Sequence, residues 1–154
     1  IVLPLNLFQG GCADGAAQEI RMIKEAIGER HLKVILETGA LRGISEIEEA
    51  SFLAMEAGAD FIKTSTGKQE PGATPQAAEA MCRCIKEHYR ATGRKVGFKP
   101  AGGISSAQDA LLYLGIVEQI LGQEWMTPHL FRIGASRLGN SILSELEQKT
   151  TVYF

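Results

Sequence analysis

The sequence predicts an α/β fold built on a parallel sheet, and two features carry that expectation. Short, mainly apolar, β-prone runs recur five times, at residues 1–5, 34–36, 59–62, 95–99 and 130–133. The first of them, residues 1–5, is continuous and shows no polar alternation, as expected of a strand buried on both faces. Between them lie segments with apolar residues at helical spacing, and alternating strands and helices demand parallel strands joined by crossovers. Five such units in 154 residues fall short of the eight units and roughly 250 residues of a closed barrel. The chain therefore reads as a single domain, residues 1–154, supplying about five C-terminal βα units of a (β/α)8 TIM barrel. An open, doubly wound sheet of five strands is the alternative. No Gly-x-Gly-x-x-Gly follows the first strand, so a dinucleotide-binding version lacks its fingerprint.

Taken in order, Ile1-Val2-Leu3-Pro4-Leu5 reads as the first strand. A chain that opens inside such a strand creates the expectation that residues precede Ile1. Residues 6–15 read as a loop, and residues 16–30 as a helix on Ile20, Ile23 and Ile27. The second strand is followed by Thr38-Gly39. Ser45-Glu46-Ile47-Glu48 has the spacing of a capping box. The helix it opens buries Ile47, Ala50, Ala54 and Ala57 and stops at Gly58. The third strand ends at Lys63. Thr74 is placed to cap a helix with Pro75 at its first position, where no N–H is needed; Ala78, Met81, Ile85 and Tyr89 form its inner stripe. After the fourth strand, Ser105-Ser106-Ala107-Gln108 reads as a second capping box, opening a helix through Ala110, Leu114 and Leu121. The fifth strand, residues 130–133, leads into a last helix through Leu138, Ile142 and Leu146.

Composition narrows the function classes. A formal net charge of −2 gives no reason to expect nucleic acid or an anionic membrane as partner. No apolar run approaches the roughly 20 residues of a membrane span, and the apolar start at Ile1 lacks the basic segment of a signal peptide. Cys12, Cys82 and Cys84 form no disulfide framework, which points to free thiols and a cytoplasmic location. His31, His88 and His129 lack metal-ligand spacing, so the sequence implies neither a metal nor another cofactor.

Chemistry is suggested by two lysines. Lys63 falls near the C-terminal end of its strand, where α/β sheets keep their reactive groups, and the turn Thr64-Ser65-Thr66-Gly67-Lys68 follows it. A lone strand-end lysine is most simply a surface residue. Val96-Gly97-Phe98-Lys99-Pro100-Ala101-Gly102-Gly103 repeats the same grammar, which is harder to dismiss. An ordinary lysine, with a pKa of about 10.4, is neutral at pH 7 in roughly one molecule in a few thousand. Burial or a nearby cation raises that fraction and makes the amine a nucleophile. In this reading Lys63 forms an imine, walled by Phe61 and Ile62 with the hydroxyls of Thr64 and Ser65 beside it, and Lys99 is the nearby cation. On sequence alone the two can exchange roles.

Three glycine turns, at Gly67, Gly102-Gly103 and Gly134-Ala135-Ser136, follow successive strands, and the last two lead into helices. Backbone amides at such turns suit a phosphate, with Lys68 adding a point charge; the alternative is that these glycines only make tight turns. Lys33 and Glu37 share a strand face by period-2 alternation, either as a structural ion pair or as groups that position water. Tyr113, Trp125 and Met126 read as packing residues.

The segments Lys33-Val34-Ile35-Leu36-Glu37-Thr38-Gly39, Ala59-Asp60-Phe61-Ile62-Lys63-Thr64-Ser65-Thr66-Gly67-Lys68, Gly97-Phe98-Lys99-Pro100-Ala101-Gly102-Gly103 and Arg132-Ile133-Gly134-Ala135-Ser136 together resemble deoxyribose-phosphate aldolase. The resemblance runs from Ile1 to about Leu146. It implies an eight-stranded barrel and a cytoplasmic, metal-free, cofactor-free aldolase of deoxyribonucleotide catabolism, compatible with a homo-oligomer. Such enzymes reversibly cleave 2-deoxy-D-ribose 5-phosphate to acetaldehyde and glyceraldehyde 3-phosphate through a Schiff base. By the same resemblance, Lys63 is the imine-forming residue, Lys99 perturbs its pKa and assists proton transfer, and Lys33 stands close to the site. Gly67, Lys68, Gly102, Gly103, Gly134 and Ser136 surround the phosphate. Arg137 departs from the small polar residue common in relatives. The family's proton-relay aspartate would fall immediately before Ile1, and a tail tyrosine of some relatives does not align securely with Tyr153. Residues 1–154 alone are therefore expected to be inactive; a non-catalytic phosphate-binding partial barrel is the second reading.

Overall fold

A computed structural model describes residues 1–153. Three parallel strands, β1 (Lys33–Ile35), β2 (Phe61–Lys63) and β3 (Gly97–Lys99), lie side by side in that order. Their register is layered. Lys33, Phe61 and Gly97 form one row, Val34, Ile62 and Phe98 the next, and Ile35, Lys63 and Lys99 the last. Successive rows face opposite sides of the sheet. The middle row is fully buried in the main hydrophobic cluster together with residues of the helices, each such side chain contributing about 1.5–3 kcal/mol. The other two rows share the opposite face, which carries all three lysines.

The segment before β1 pairs more briefly than the sequence predicts. Val2 bridges Ile35 in parallel fashion, with Leu3 N–H donating to Ile35 O. Pro4 then starts a short helix, α1 (Leu5–Gln9), where a loop was expected; its carbonyl accepts from Leu7 and Phe8, and buried Phe8 anchors the turn. The next helix, α2 (Ala13–Ile27), begins before Ala16 and ends at Gly28, whose φ of 59° breaks the helix.

The capping box at Ser45 and Glu48 does not form. Helix α3 (Ile44–Glu56) begins one residue earlier, after Gly43, and Glu46 is the residue that reaches back, accepting from Arg42 N–H at 2.6 Å and from its guanidinium. The inner stripe Ile47, Ala50, Ala54 and Ala57 is buried as the periodicity requires. For α4 (Pro75–Thr92) the predicted start holds: Thr74 Oγ1 accepts from Ala77 N–H at 3.2 Å, and Pro75 opens the helix. Ala78, Met81 and Ile85 are buried, while Tyr89 is half-buried against Trp125, whose indole N–H donates to Val96 O at 2.9 Å. In α5 (Ala107–Leu121) the capping box is Ser106 with Asp109, one position beyond the predicted pair. Its buried stripe is Tyr113, Ile116, Val117 and Leu121, with Ala110 and Leu114 only half-buried.

The predicted fifth strand is reduced to two isolated bridges, Phe131 with Phe98 and Gly134 with Ala101. The ladder shows why. Phe98 N–H donates to Leu130 O, Arg132 N–H to Phe98 O, and Gly134 N–H to Pro100 O; the donor missing from the series is residue 100, a proline with no N–H. The last helix, α6 (Leu138–Glu147), buries Leu138, but Ile142 is 37% and Leu146 75% exposed. The expected stripe is half open because, among the described helices, α6 packs chiefly on α5.

Candidate active site

At the exit ends of the strands, register brings Lys63 and Lys99 side by side on neighbouring strands, with Lys33 two rows below on the same face, at the start of β1. The row beneath the two lysines is closed by Phe61. Its ring lies across Gly97, where a Cβ would come within 2.3 Å of Phe61 Cε1, and the Arg132 guanidinium stacks over it at 4.4 Å. Phe61 is thus the apolar floor of the lysine row. Ile62 is not a wall of Lys63, since alternation turns it into the helix-facing core. Nor does Thr64 offer a hydroxyl there. Its Oγ1 accepts from Ala101 N–H at 2.9 Å and donates to Ala101 O at 3.0 Å, tying β2 to β3. Ser65 Oγ is buried without a partner.

Four cations, Lys33, Lys63, Lys99 and Arg132, share this face of the sheet, and none of them forms an ion pair among the described residues. The result is a depressed pKa at both central lysines. Burial pushes the Lys63 ammonium down, Lys33 adds to that, and Glu37 opposes it. Burial also lowers Lys99, with Lys33, Lys63 and Arg132 acting in the same direction. The repulsion between the two lysines is mutual. Lys33 is accordingly a perturbing charge for both, a part the sequence reading gave to Lys99 alone.

Among the described residues Lys33 and Glu37 form no ion pair, which removes one of the two readings of that pair. Glu37 is instead buried, 5% exposed, and held in the left-handed region at φ 55°, ψ 59°, a conformation that costs a residue with a Cβ roughly 1–2 kcal/mol. There it ends β1 and begins the turn Thr38–Ala40. Its carboxylate accepts from Thr66 N–H at 2.9 Å and from Thr66 Oγ1, which in turn accepts from Lys68 N–H at 3.1 Å.

A cavity of about 550 Å³ opens beside Lys63. Its walls include Gly67, Gly102, Gly103, Gly134 and Ser136, so the three glycine turns do converge, and Lys63 lines it with them. Lys99, Lys33 and the Lys68 side chain do not line it; Lys99 runs past Gly134, where a Cβ would come within 3.0 Å of its Cε. Gly102 and Gly103 have successive positive φ values of 94° and 80°, a backbone bend that turns amides toward one side and suits an anion. The helix after this turn is not available for that purpose. The N–H groups of Ser105 and Ser106 both donate to Asp109 Oδ2, that of Asp109 to Ser106 Oγ, and that of Ala107 to Ser141 Oγ. In contrast, α6 starts at Arg137 with no side-chain cap and no acidic residue in its first turn. Besides Lys63, Arg137 is the cationic residue on the cavity wall. Sequence reading had marked it as a departure from the relatives, and its place after a glycine turn was the available signal. Among the described residues no group of three His, Cys, Asp or Glu side chains is placed to hold a metal ion, and no helix is long and apolar enough to cross a membrane.

A parallel α/β sheet whose neighbouring strands end in lysines beside a glycine-walled cavity defines a lysine-centred α/β protein. The profile of the DeoC/LacD family aldolases matches residues 11–119, and the chain belongs to that family. A deoxyribose-phosphate aldolase from Bos taurus is 52% identical over 149 residues, covering 97% of this chain and 46% of the relative. The Homo sapiens deoxyribose-phosphate aldolase is 48% identical over the same length and shares. Among solved structures, the chain is similar to a Toxoplasma gondii protein provisionally assigned as a deoxyribose-phosphate aldolase. That match has a TM-score of 0.78 at 26% identity and covers 96% of this chain and 57% of the other. The chain spans about half the length of the curated relatives it matches.

Proposed function

We propose that the chain is the C-terminal portion of a (β/α)8 barrel aldolase of class I that reversibly cleaves 2-deoxy-D-ribose 5-phosphate to acetaldehyde and glyceraldehyde 3-phosphate. The observation that carries the reading is the placement of Lys63. It alone of the three strand lysines lines the cavity that the glycine turns enclose, and its pKa is lowered by burial and by Lys33. The neutral amine of Lys63 adds to the C1 aldehyde of the open-chain sugar, and loss of water gives a protonated imine. Removal of the proton from the C3 hydroxyl then breaks the C2–C3 bond. The bonding pair moves into the iminium to form an enamine, and glyceraldehyde 3-phosphate departs. Protonation of the enamine at C2 and hydrolysis release acetaldehyde and restore Lys63. Lys99, cross-strand from Lys63, keeps a positive charge beside the imine nitrogen when protonated and disfavours an ammonium on Lys63. The phosphate end lies against the Gly102-Gly103 bend and the Gly134–Arg137 segment, with the Arg137 guanidinium as its charged partner.

A non-catalytic phosphate-binding partial barrel is the second reading, and it is favoured for residues 1–154 taken alone. There the Val2 segment and the Phe131–Gly134 segment each pair on one side only, and aldol cleavage by this stretch should be weak. Borohydride reduction in the presence of acetaldehyde, performed on the full chain that carries these residues, tests the aldolase. The adduct should appear on the peptide containing Lys63. An adduct confined to the Lys99 peptide would exchange the roles, and no adduct would leave only the binding reading.

A further inference from the structure

We propose that Glu37 is a positioning residue of the lysine site: its carboxylate fixes the turn that carries Thr66 and Lys68 and sets a negative charge against Lys63. The inference rests on the lysine site proposed above but not on the identity of its substrate.

Three independent features point to Glu37. A carboxylate on a residue only 5% exposed has no basic ion-pair partner among the described residues, although Lys33 lies four residues before it. Its backbone sits in the left-handed region, one of only two non-glycine residues with positive φ among those described, and such outliers persist where surrounding contacts hold them. Both of its oxygens are spent on one residue of the next strand's turn, the N–H and the hydroxyl of Thr66.

That turn is the wall of the site. Lys63 ends β2, Thr66 and Gly67 line the cavity, and the Lys68 amide closes back onto Thr66 Oγ1. A chain of hydrogen bonds therefore runs from Glu37 through Thr66 to Lys68, and it fixes the backbone immediately after the reactive lysine. The charges set around Lys63 are Lys33 of β1, Glu37 just beyond β1, Lys99 cross-strand on β3, and the amino group of Ile1, which donates to Lys33 O; Arg132 acts on Lys99. Among the described residues, Glu37 is the one negative charge in this set. It therefore separates two otherwise similar lysines, because Lys63 has a carboxylate in its surroundings and Lys99 has Arg132 instead.

The test is a titration that needs no turnover. In the full chain, the pH dependence of trace acetylation at Lys63 and at Lys99 is followed by peptide mass spectrometry, for the parent and for Glu37→Gln. Glutamine preserves shape and one acceptor but removes the charge. The Lys63 midpoint should fall by about half a pH unit, less than the 1–3 units of a direct ion pair, while the Lys99 midpoint moves less. Unchanged midpoints, or an equal shift at both lysines, would overturn the proposal. Thr66→Val provides a second arm should Glu37→Gln fold poorly. It leaves the carboxylate and should leave the Lys63 midpoint in place, while amide exchange at Lys68 accelerates by about tenfold or more; unchanged exchange there would show that the hydrogen-bond chain does not hold the turn. Loss of imine trapping with the Lys63 shift intact would refute the aldolase and spare this inference.

Discussion

The rim where the strands begin and the face that carries the strand lysines treat their cations in opposite ways. Where the strands begin, the cations outside the lysine face have partners. Lys24 Nζ donates to Asp60 Oδ2 at 2.8 Å and to Arg30 O at 2.9 Å, and the Arg94 guanidinium donates to Ala59 O and Met55 O. Asp60 also takes Leu32 N–H at 2.7 Å, so the cluster joins α2, β1 and β2. On the lysine face, from Lys33 at the start of β1 to Lys63 and Lys99 at the ends of β2 and β3, these cations and Arg132 repel one another, and none forms an ion pair among the described residues. The first arrangement suits stability, and the second sacrifices stability for a reactive amine. The contrast marks the lysine face as the candidate for chemistry on physical grounds alone.

The largest effect should follow from removing the reactive lysine. Lys63→Met is expected to lower aldolase activity on the order of 10⁶-fold, the scale of losing a covalent nucleophile, and to abolish borohydride trapping. It should also raise the melting temperature. The sign follows from linkage: a lysine whose folded pKa is depressed binds protons more weakly when folded, so its charge destabilises the fold below that pKa. Stability then recovers as pH rises from the folded value toward the ordinary value of about 10.4. Lys63→Met should flatten this alkaline gain, as read from thermal melts between neutral and alkaline pH. A melting temperature that falls in Lys63→Met would mean the lysine is not held at a cost, and the contrast between the two ends would fail.

Lys99→Leu comes next. It removes a cation cross-strand from Lys63, so the pKa of Lys63 should rise and the acid limb of kcat/KM should move to higher pH. Activity at neutral pH should fall by roughly 10²–10⁴-fold if Lys99 also takes part in proton transfer. A limb that stays in place would assign the depression of Lys63 to burial and Lys33 alone.

Much of this site was legible in the chain because its parts are local. The lysine runs, the glycine turns and the Thr74–Pro75 start are each encoded within a few residues, and the hydrophobic pattern predicted α3 and α4 well. What escaped depends on distant partners or on choices between neighbours. Ser105 and Ser106 are both followed three residues later by a polar side chain, and only packing chose Ser106 with Asp109. The Phe61–Gly97–Arg132 stack draws on three segments, so no local pattern announces it. Glu37 looked like a partner for Lys33 because alternation placed both on one face, but a left-handed residue at the strand end breaks that alternation. The weakness of the fifth strand was readable after all, from the missing N–H of Pro100.

A smaller effect separates the two cationic residues near the glycine turns. Arg137 lines the cavity and Lys68 does not. Arg137→Leu should therefore raise KM for the phosphorylated sugar by about 10–100-fold, the value of one charge-assisted contact, with kcat and the KM for unphosphorylated deoxyribose little changed. Lys68→Ala should have a weaker effect on the same ratio. The reverse order would restore Lys68 to the part that the sequence suggested.

The smallest effect is the sharpest test of the comparison, because it acts on the opposite end of the sheet. Asp60→Asn removes the charge that pairs with Lys24 while its amide oxygen can still accept from Leu32 N–H, so the loss should be that of a half-exposed ion pair, at most about 1 kcal/mol. Asp60→Ala also orphans the Leu32 N–H on a residue that is 4% exposed, and should cost about 1–3 kcal/mol. Neither change should alter kcat or the acetylation midpoint of Lys63, since Asp60 lies at the far end of β2 and its charge is already neutralised by Lys24. Denaturant melts measure the first quantity and the lysine titration the second. If Asp60→Asn moves the Lys63 midpoint as far as Glu37→Gln does, the two ends share one field, and the reactive amine depends on the whole strand rather than on the charges gathered at its exit.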